Sequence, residues 1–184
     1  MNEACSGAGV GTDMRGWLIG ALMLAGAGVP ALAQEKPTHW TYLVEKFGTV
    51  GWEDGAVTRD AALNTVSALQ VMYFYAPQRI PADATRAPGF GKPDETYDYE
   101  LRIVSYACGR DAMRIVNSNM FKYVPGEMPA VAGRTPQPER RVHLGTDQTI
   151  RNHLCNGVTP EGAREAKDVG EVVRAARQAA LRGN

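Results

Sequence analysis

The chain has 184 residues, 44% of them hydrophobic, with 20 Lys and Arg against 20 Asp and Glu. Charge this balanced, with no run of Lys and Arg, argues against nucleic acid or an anionic membrane as partner, because both demand a basic excess or patch. Three cysteines without a Cys-x-x-Cys pair argue against thioredoxin-like chemistry and against a paired-thiolate zinc site.

Met14 and Arg15 precede the apolar run GWLIGALMLAGAGV, and PALAQ follows at 30–34. A basic start, a hydrophobic stretch of roughly 13 residues and a small-x-small site are the three regions of a secretory signal, and the run is too short to span a membrane. Residues 1–33 are therefore expected to be a signal peptide cut after Ala33, with Met14 as an alternative start of translation. The glycines upstream of Met14 are not a phosphate loop, which would follow a strand and open a helix. The expected location is periplasmic or secreted, and Cys5 leaves with the signal. Cys108 and Cys155 then stand in an oxidising space, where two cysteines pair. Residues 34–184 suffice for one domain with its own core.

After a flexible start at 34–39, WTYLVEKF at 40–47 alternates Trp40, Tyr42 and Val44 against other residues, as an edge strand would. GWEDGAV is rich in Gly and acidic residues and predicts a turn, with a short helix possible within 57–70. Residues 67–77, SALQVMYFYAP, combine strong β-formers with two largely apolar faces, which predicts a central covered strand. Residues 77–95 contain four prolines and no period, a long loop. Alternation resumes with Tyr97, Tyr99, Leu101 and Ile103 opposite Asp98, Glu100 and Arg102, and CGRD supplies a bend. Residues 97–120 thus read as a β-hairpin with Cys108 at its tip. Residues 124–141 hold another four prolines, and 141–157 reads as a short strand or helical turn leading to Cys155. A C-terminal helix is expected over 159–184, with Thr159 as N-cap, Pro160 in its first turn, and a stripe of Val169, Val172, Val173, Ala176 and Ala180.

The candidates for chemistry are His39, His143, His153, Cys108, Cys155 and the acidic group Asp94, Glu95, Asp98 and Glu100. A nucleophilic cysteine needs a free thiolate beside a histidine. His153 and Cys155 would share a face on a strand, but pairing removes the thiol. The acidic group lacks the alternate oxygen ligands and bend glycine of a calcium loop, so a solvated hairpin face is the expected role. No catalytic residue, metal or cofactor is expected. Tyr73, Tyr75, Tyr97, Tyr99 and Tyr106 belong either to the core or to an adhesive aromatic platform. Residues named for a contact surface are Tyr97, Tyr99, Arg110, Arg79 and Phe90.

Trp40 near the mature start, Asp60 before LQVMYFY, the stretch YELRIVSYACGRDAMRIVNSNMF and the closing LGTDQTIRNHLCNG resemble the surface-adhesin protein E-like family of small secreted bacterial domains, over roughly 40–157. The resemblance implies an α+β domain, an antiparallel β-sheet with a packed helix and one disulfide, here Cys108 to Cys155. It departs from lipid-anchored members at Gln34, where those carry cysteine, so no lipid anchor is expected, and at DAAL (60–63), where the family has an Asp-x-x-Ser-type strand entry. The expected function is non-enzymatic binding to an envelope component or protein, through the proline-rich segments 77–95 and 124–141. The alternative is an envelope enzyme or enzyme-inhibitor module with a pocket that sequence does not reveal.

Overall fold

A computed structural model describes residues 38–183 except 91, 93–94, 125–128 and 143–144. The signal-peptide reading and the expectations for His143 and Asp94 lie outside the described residues. The elements in chain order are β1 (Trp40–Val44), β2 (Gly48–Glu53), β3 (Thr58–Asp60), β4 (Thr65–Arg79), β5 (Thr85–Arg86), β6 (Thr96–Ala107), β7 (Ala112–Phe121), β8 (Ala130–Arg134), β9 (Arg140–Arg141), α1 (Thr146–Asn156), β10 (Arg164–Ala166) and α2 (Val169–Arg182). All strand pairs are antiparallel, in the order β10-β1-β2-β4-β6-β7-β8-β5, with β3 on β4 and β9 on β7. Antiparallel sheet, a packed C-terminal helix and the Cys108–Cys155 disulfide are as expected from the sequence.

The two helices cover opposite faces. Because side chains alternate along a strand, β4 contributes Val71 and Tyr73 to one face and Val66, Ala68 and Gln70 to the other. On the first, Trp40, Tyr42, Val71, Tyr73 and Tyr99 pack against Val172, Val173 and Ala176 of α2. An aromatic ladder crosses this face: Tyr73 stacks on Tyr99 at 6.4 Å and Tyr99 on Phe121 at 5.0 Å between centroids. Gly51 lets the helix come close, since a Cβ there would stand 3.0 Å from Val172 Cγ1 and 3.1 Å from Val71 Cγ1. On the second face, Val50, Trp52, Val66, Val104, Tyr106 and Met113 pack against Ile150 and Leu154 of α1. A third cluster, of Ile80, Ala84, Tyr97, Met120, Val131 and Ala132, closes the far end.

Several expectations need correction. β1 is not an edge, because β10 pairs outside it, Trp40 opposite Ala166. The turn expected after 51 begins only after β2, whose Gly48 and Gly51 serve close backbone and helix approach rather than a bend. Residues 57–70 hold no helix: β3 and β4 form a hairpin there, turned at Asn64, whose φ is 50°. The proline-rich segments carry the short strands β5, β8 and β9. Residues 141–157 contain the three-turn helix α1, which ends at Gly157 in the left-handed region. The C-terminal helix does not start at Thr159 and Pro160. The chain first adds β10 to the sheet, and Asp168 then caps α2 by accepting from the Glu171 N–H at 2.7 Å, while Glu171 accepts from Lys167 N–H.

The disulfide joins the β6–β7 bend to the last turn of α1, with Cα atoms 5.5 Å apart. Arg151 of α1 reinforces it, donating from Nε to Ala107 O and from Nη2 to Cys108 O, both at 2.9 Å. Arg59 of β3 donates to Leu154 O at 2.7 Å. The hairpin tip is therefore fixed to α1 by one covalent link and two charge-assisted hydrogen bonds, and β3 by a third.

Candidate functional site

The face beneath α1 carries a continuous polar row. Register pairs Thr41 with Trp52, Trp52 with Gln70, Gln70 with Arg102, Arg102 with Ser118, and Ser118 with Arg134, one residue from each of β1, β2, β4, β6, β7 and β8. Residues directly opposite one another share a face, so all six stand in one line on the second face of the sheet. Gln70, Arg102 and Ser118 are buried. Burying such groups is costly unless they are hydrogen-bonded, and the row is partly linked. Arg102 Nε donates to Gln70 Oε1 at 3.3 Å, and Gln70 Nε2 donates to Tyr106 Oη at 2.9 Å.

α1 lies over this row and presents polar side chains to it at two places. At its first turn, Asp147 stands between two guanidinium groups: Arg102 Nη2 is 3.5 Å from Oδ1, and Arg140 Nη2 is 3.2 Å from Oδ2. At its last turn, His153 reaches Asp54, Nε2 to Oδ1 at 3.0 Å, beside the Trp52 ring at 5.3 Å. The same carboxylate accepts from Trp52 Nε1 at 3.0 Å and from the Thr41 hydroxyl, and His39 Nδ1 lies 3.4 Å from it. The other nitrogen of His153, Nδ1, is 3.2 Å from Val158 O. His153 thus faces two acceptors, Asp54 Oδ1 and Val158 O, and ties the last turn of α1 to the segment after β2 and to the following loop.

The residues expected from sequence are scattered among these features. Cys155 and His153 do not share a face, because the segment is helical and residues two apart lie on opposite sides; Cys155 turns to Cys108 and His153 to Asp54. Glu100 and Asp98 of the acidic group do not form a solvated hairpin face: Glu100 is 6% exposed, and Asp98 accepts from the Tyr123 N–H at 2.8 Å. Among the contact candidates, Tyr97 and Tyr99 are buried, Tyr97 against Phe74 and Tyr99 inside the aromatic ladder. Burial removes both from any contact surface. Phe90 packs on the cluster that contains Tyr97, and Arg79 is exposed nearby, opposite Thr96. Arg110 stands apart at the hairpin tip, paired with Glu139. The row itself escaped the sequence reading, since an arginine inside an alternating strand reads as solvent-facing. Gln70 was the visible signal, a lone amide between Leu69 and Val71 in the most apolar strand.

Burial pushes the phenols of Tyr97, Tyr99 and Tyr106 up to about 12, with the neighbouring carboxylates Glu100, Asp98 and Asp147 respectively adding to the effect. A phenol whose folded value is raised above about 10 stays neutral longer in the fold than in the unfolded chain. Its contribution to stability is complete below pH 10 and is lost as pH rises from 10 to about 12. Spectrophotometric titration is expected to show three phenols ionising only near pH 12, together with alkaline unfolding. Ionisation of every tyrosine near pH 10 in a folded protein would contradict their burial.

A separate open groove of about 550 Å³ lies between the β1–β2 turn, the outer half of β4 and the end of α2, lined by Val44, Phe47, Tyr75, Ala179 and Ala180 among others. Phe47 at its lip is 76% exposed. No helix among the described residues is long and apolar enough to cross a membrane. No protein-family model, curated protein or solved structure matches the chain.

Proposed function

We propose that the chain is a non-enzymatic binding domain of the bacterial envelope, periplasmic or secreted, of the kind that its resemblance to surface-adhesin E-like domains implies. One observation carries the reading: the two proline-rich segments are drawn together into one surface. Thr85 and Arg86 of β5 pair with Gly133 and Ala132 of β8, Ala87 N–H donates to Val131 O, and Arg134 bonds Asp83 at 2.7 Å. Ile80, Ala84, Val131 and Ala132 anchor these segments from below. Arg79, Thr85, Pro88, Thr135 and Pro136 remain exposed above. Loops held rigidly by a sheet are where binding residues concentrate, and a pre-ordered loop loses less entropy on association.

The test keeps the buried anchors and changes only the exposed positions. A variant with Arg79, Thr85, Pro88, Thr135 and Pro136 replaced by serine is expected to melt as the parent does. It should lose at least tenfold in affinity for a partner captured by the parent from envelope or extracellular-matrix fractions. Unchanged affinity with an unchanged melting temperature would overturn the proposal.

A further inference from the structure

Three donors of the buried row lack a hydrogen-bond acceptor, although one of them, Arg102 Nη2, keeps Asp147 Oδ1 at ion-pair distance, 3.5 Å. Among the described residues, the buried side-chain nitrogen and oxygen atoms without a hydrogen-bond partner are Arg86 Nε, Arg102 Nη2, Ser118 Oγ, Arg134 Nε, Gln137 Nε2, Arg140 Nη1 and Glu95 Oε2. Only Glu95 Oε2 is an acceptor alone; the arginine and amide nitrogens can only donate, and the serine hydroxyl can donate. Polar atoms left over from imperfect packing would be mixed, and water would satisfy donors and acceptors alike. A set weighted this far toward donors is short of an acceptor.

Three of these atoms belong together. Ser118 pairs with Arg102 on one side and Arg134 on the other, so the three side chains occupy adjacent strands of one face, about 5 Å apart from strand to strand. Arg140 joins them through Asp147, whose two oxygens lie 3.5 Å from Arg102 and 3.2 Å from Arg140. Exposure of the side chains rises from 6% at Arg102 to 25% at Arg134 and 35% at Arg140, a gradient from floor to solvent. Their carboxylate partners leave them unsaturated: Asp147 serves two guanidinium groups, and Asp83 takes only Nη2 of Arg134. Glu100 lies on the same face and offsets part of the positive charge. It is therefore the geometry of the donors, more than net charge, that selects the ligand.

We propose that Arg102, Ser118, Arg134 and Arg140 form an oxyanion-binding site between α1 and the β6–β8 strands, taking a phosphate or carboxylate group. Guanidinium groups match such oxygens two at a time through charge-assisted bonds, and a serine hydroxyl between two of them adds a third direction. The site does not depend on the exposed contact surface proposed above, and the five-serine variant retains it.

The experiment is thermal unfolding of the mature protein at constant ionic strength, titrated with inorganic phosphate, with acetate and with chloride. A ligand that binds only the folded state raises the midpoint in a saturable way. Phosphate or acetate is expected to do so, and whichever arm is stronger identifies the group. The Ser118→Ala and Arg134→Gln variants, which leave the Arg102–Asp147 contact in place, are expected to weaken the apparent affinity at least tenfold, while Arg79→Gln leaves it unchanged. A linear rise shared by all variants, a response to chloride equal to that of both oxyanions, or no response in the parent protein would each overturn the proposal.

Discussion

Replacing Cys108 and Cys155 together by serine is expected to lower stability by about 3 to 4 kcal/mol and the melting midpoint by roughly 10 °C. The bond closes a loop with a sequence separation of 47, for which chain entropy alone accounts for about 4 kcal/mol. The effect stays at or just below that figure because Arg151 and Arg59 continue to hold α1 against the hairpin tip and β3. Both cysteines also pack against the cluster of Val66, Tyr106, Met113, Ile150 and Leu154, so serine introduces polarity at its margin. Hydrogen exchange should show the loss concentrated in the last turn of α1 and the β6–β7 bend, with the α2 face protected as before. A double variant within about 1 kcal/mol of the parent would mean that α1 is held by its side chains alone.

What could be read in advance follows from which physical signals are local. The central strand at 67–77 and the hairpin bent at Cys108 were legible because β-branched and aromatic residues alternate on either side of a Gly-containing turn. The stripe Val172, Val173 and Ala176 was legible because a 3.6-residue period needs no partner to be seen. Its start was misplaced because Thr159 and Pro160 resemble a helix opening, while β10 is formed by pairing with a strand some 120 residues away in sequence. β2 was hidden by glycines, whose need is set by Tyr73 on the neighbouring strand and Val172 of α2 rather than by their own neighbours. α1 was hidden because only Ile150 and Leu154 are buried along it, too narrow a stripe to stand out. The polar row was the least legible feature, since burial of Arg102 beside Ile103, which is 41% exposed, reverses the usual preference of both residues.

That reversal leads to the second expected result. Asp147→Ala should destabilise the fold by about 3 kcal/mol, because it leaves the buried Arg102 guanidinium without its carboxylate. Arg102→Met should cost about 2 kcal/mol, chiefly by leaving the Asp147 carboxylate with Arg140 alone, since the bond from Arg102 Nε to Gln70 Oε1 is long at 3.3 Å. The two effects are not independent. In the double variant Arg102→Met with Asp147→Leu, apolar side chains of similar reach replace both charges, and Arg140, a third exposed, turns to solvent. Removing a buried ion pair as a unit is often neutral, so the double variant is expected within about 1 kcal/mol of the parent by chemical denaturation. Its thermal midpoint should no longer respond to phosphate or acetate. A fold that keeps its stability and loses its oxyanion response would show that the row contributes recognition rather than cohesion. If the double variant instead loses the sum of the single effects, about 5 kcal/mol, the row is structural, and its unmatched donors are a cost that the fold carries without a ligand.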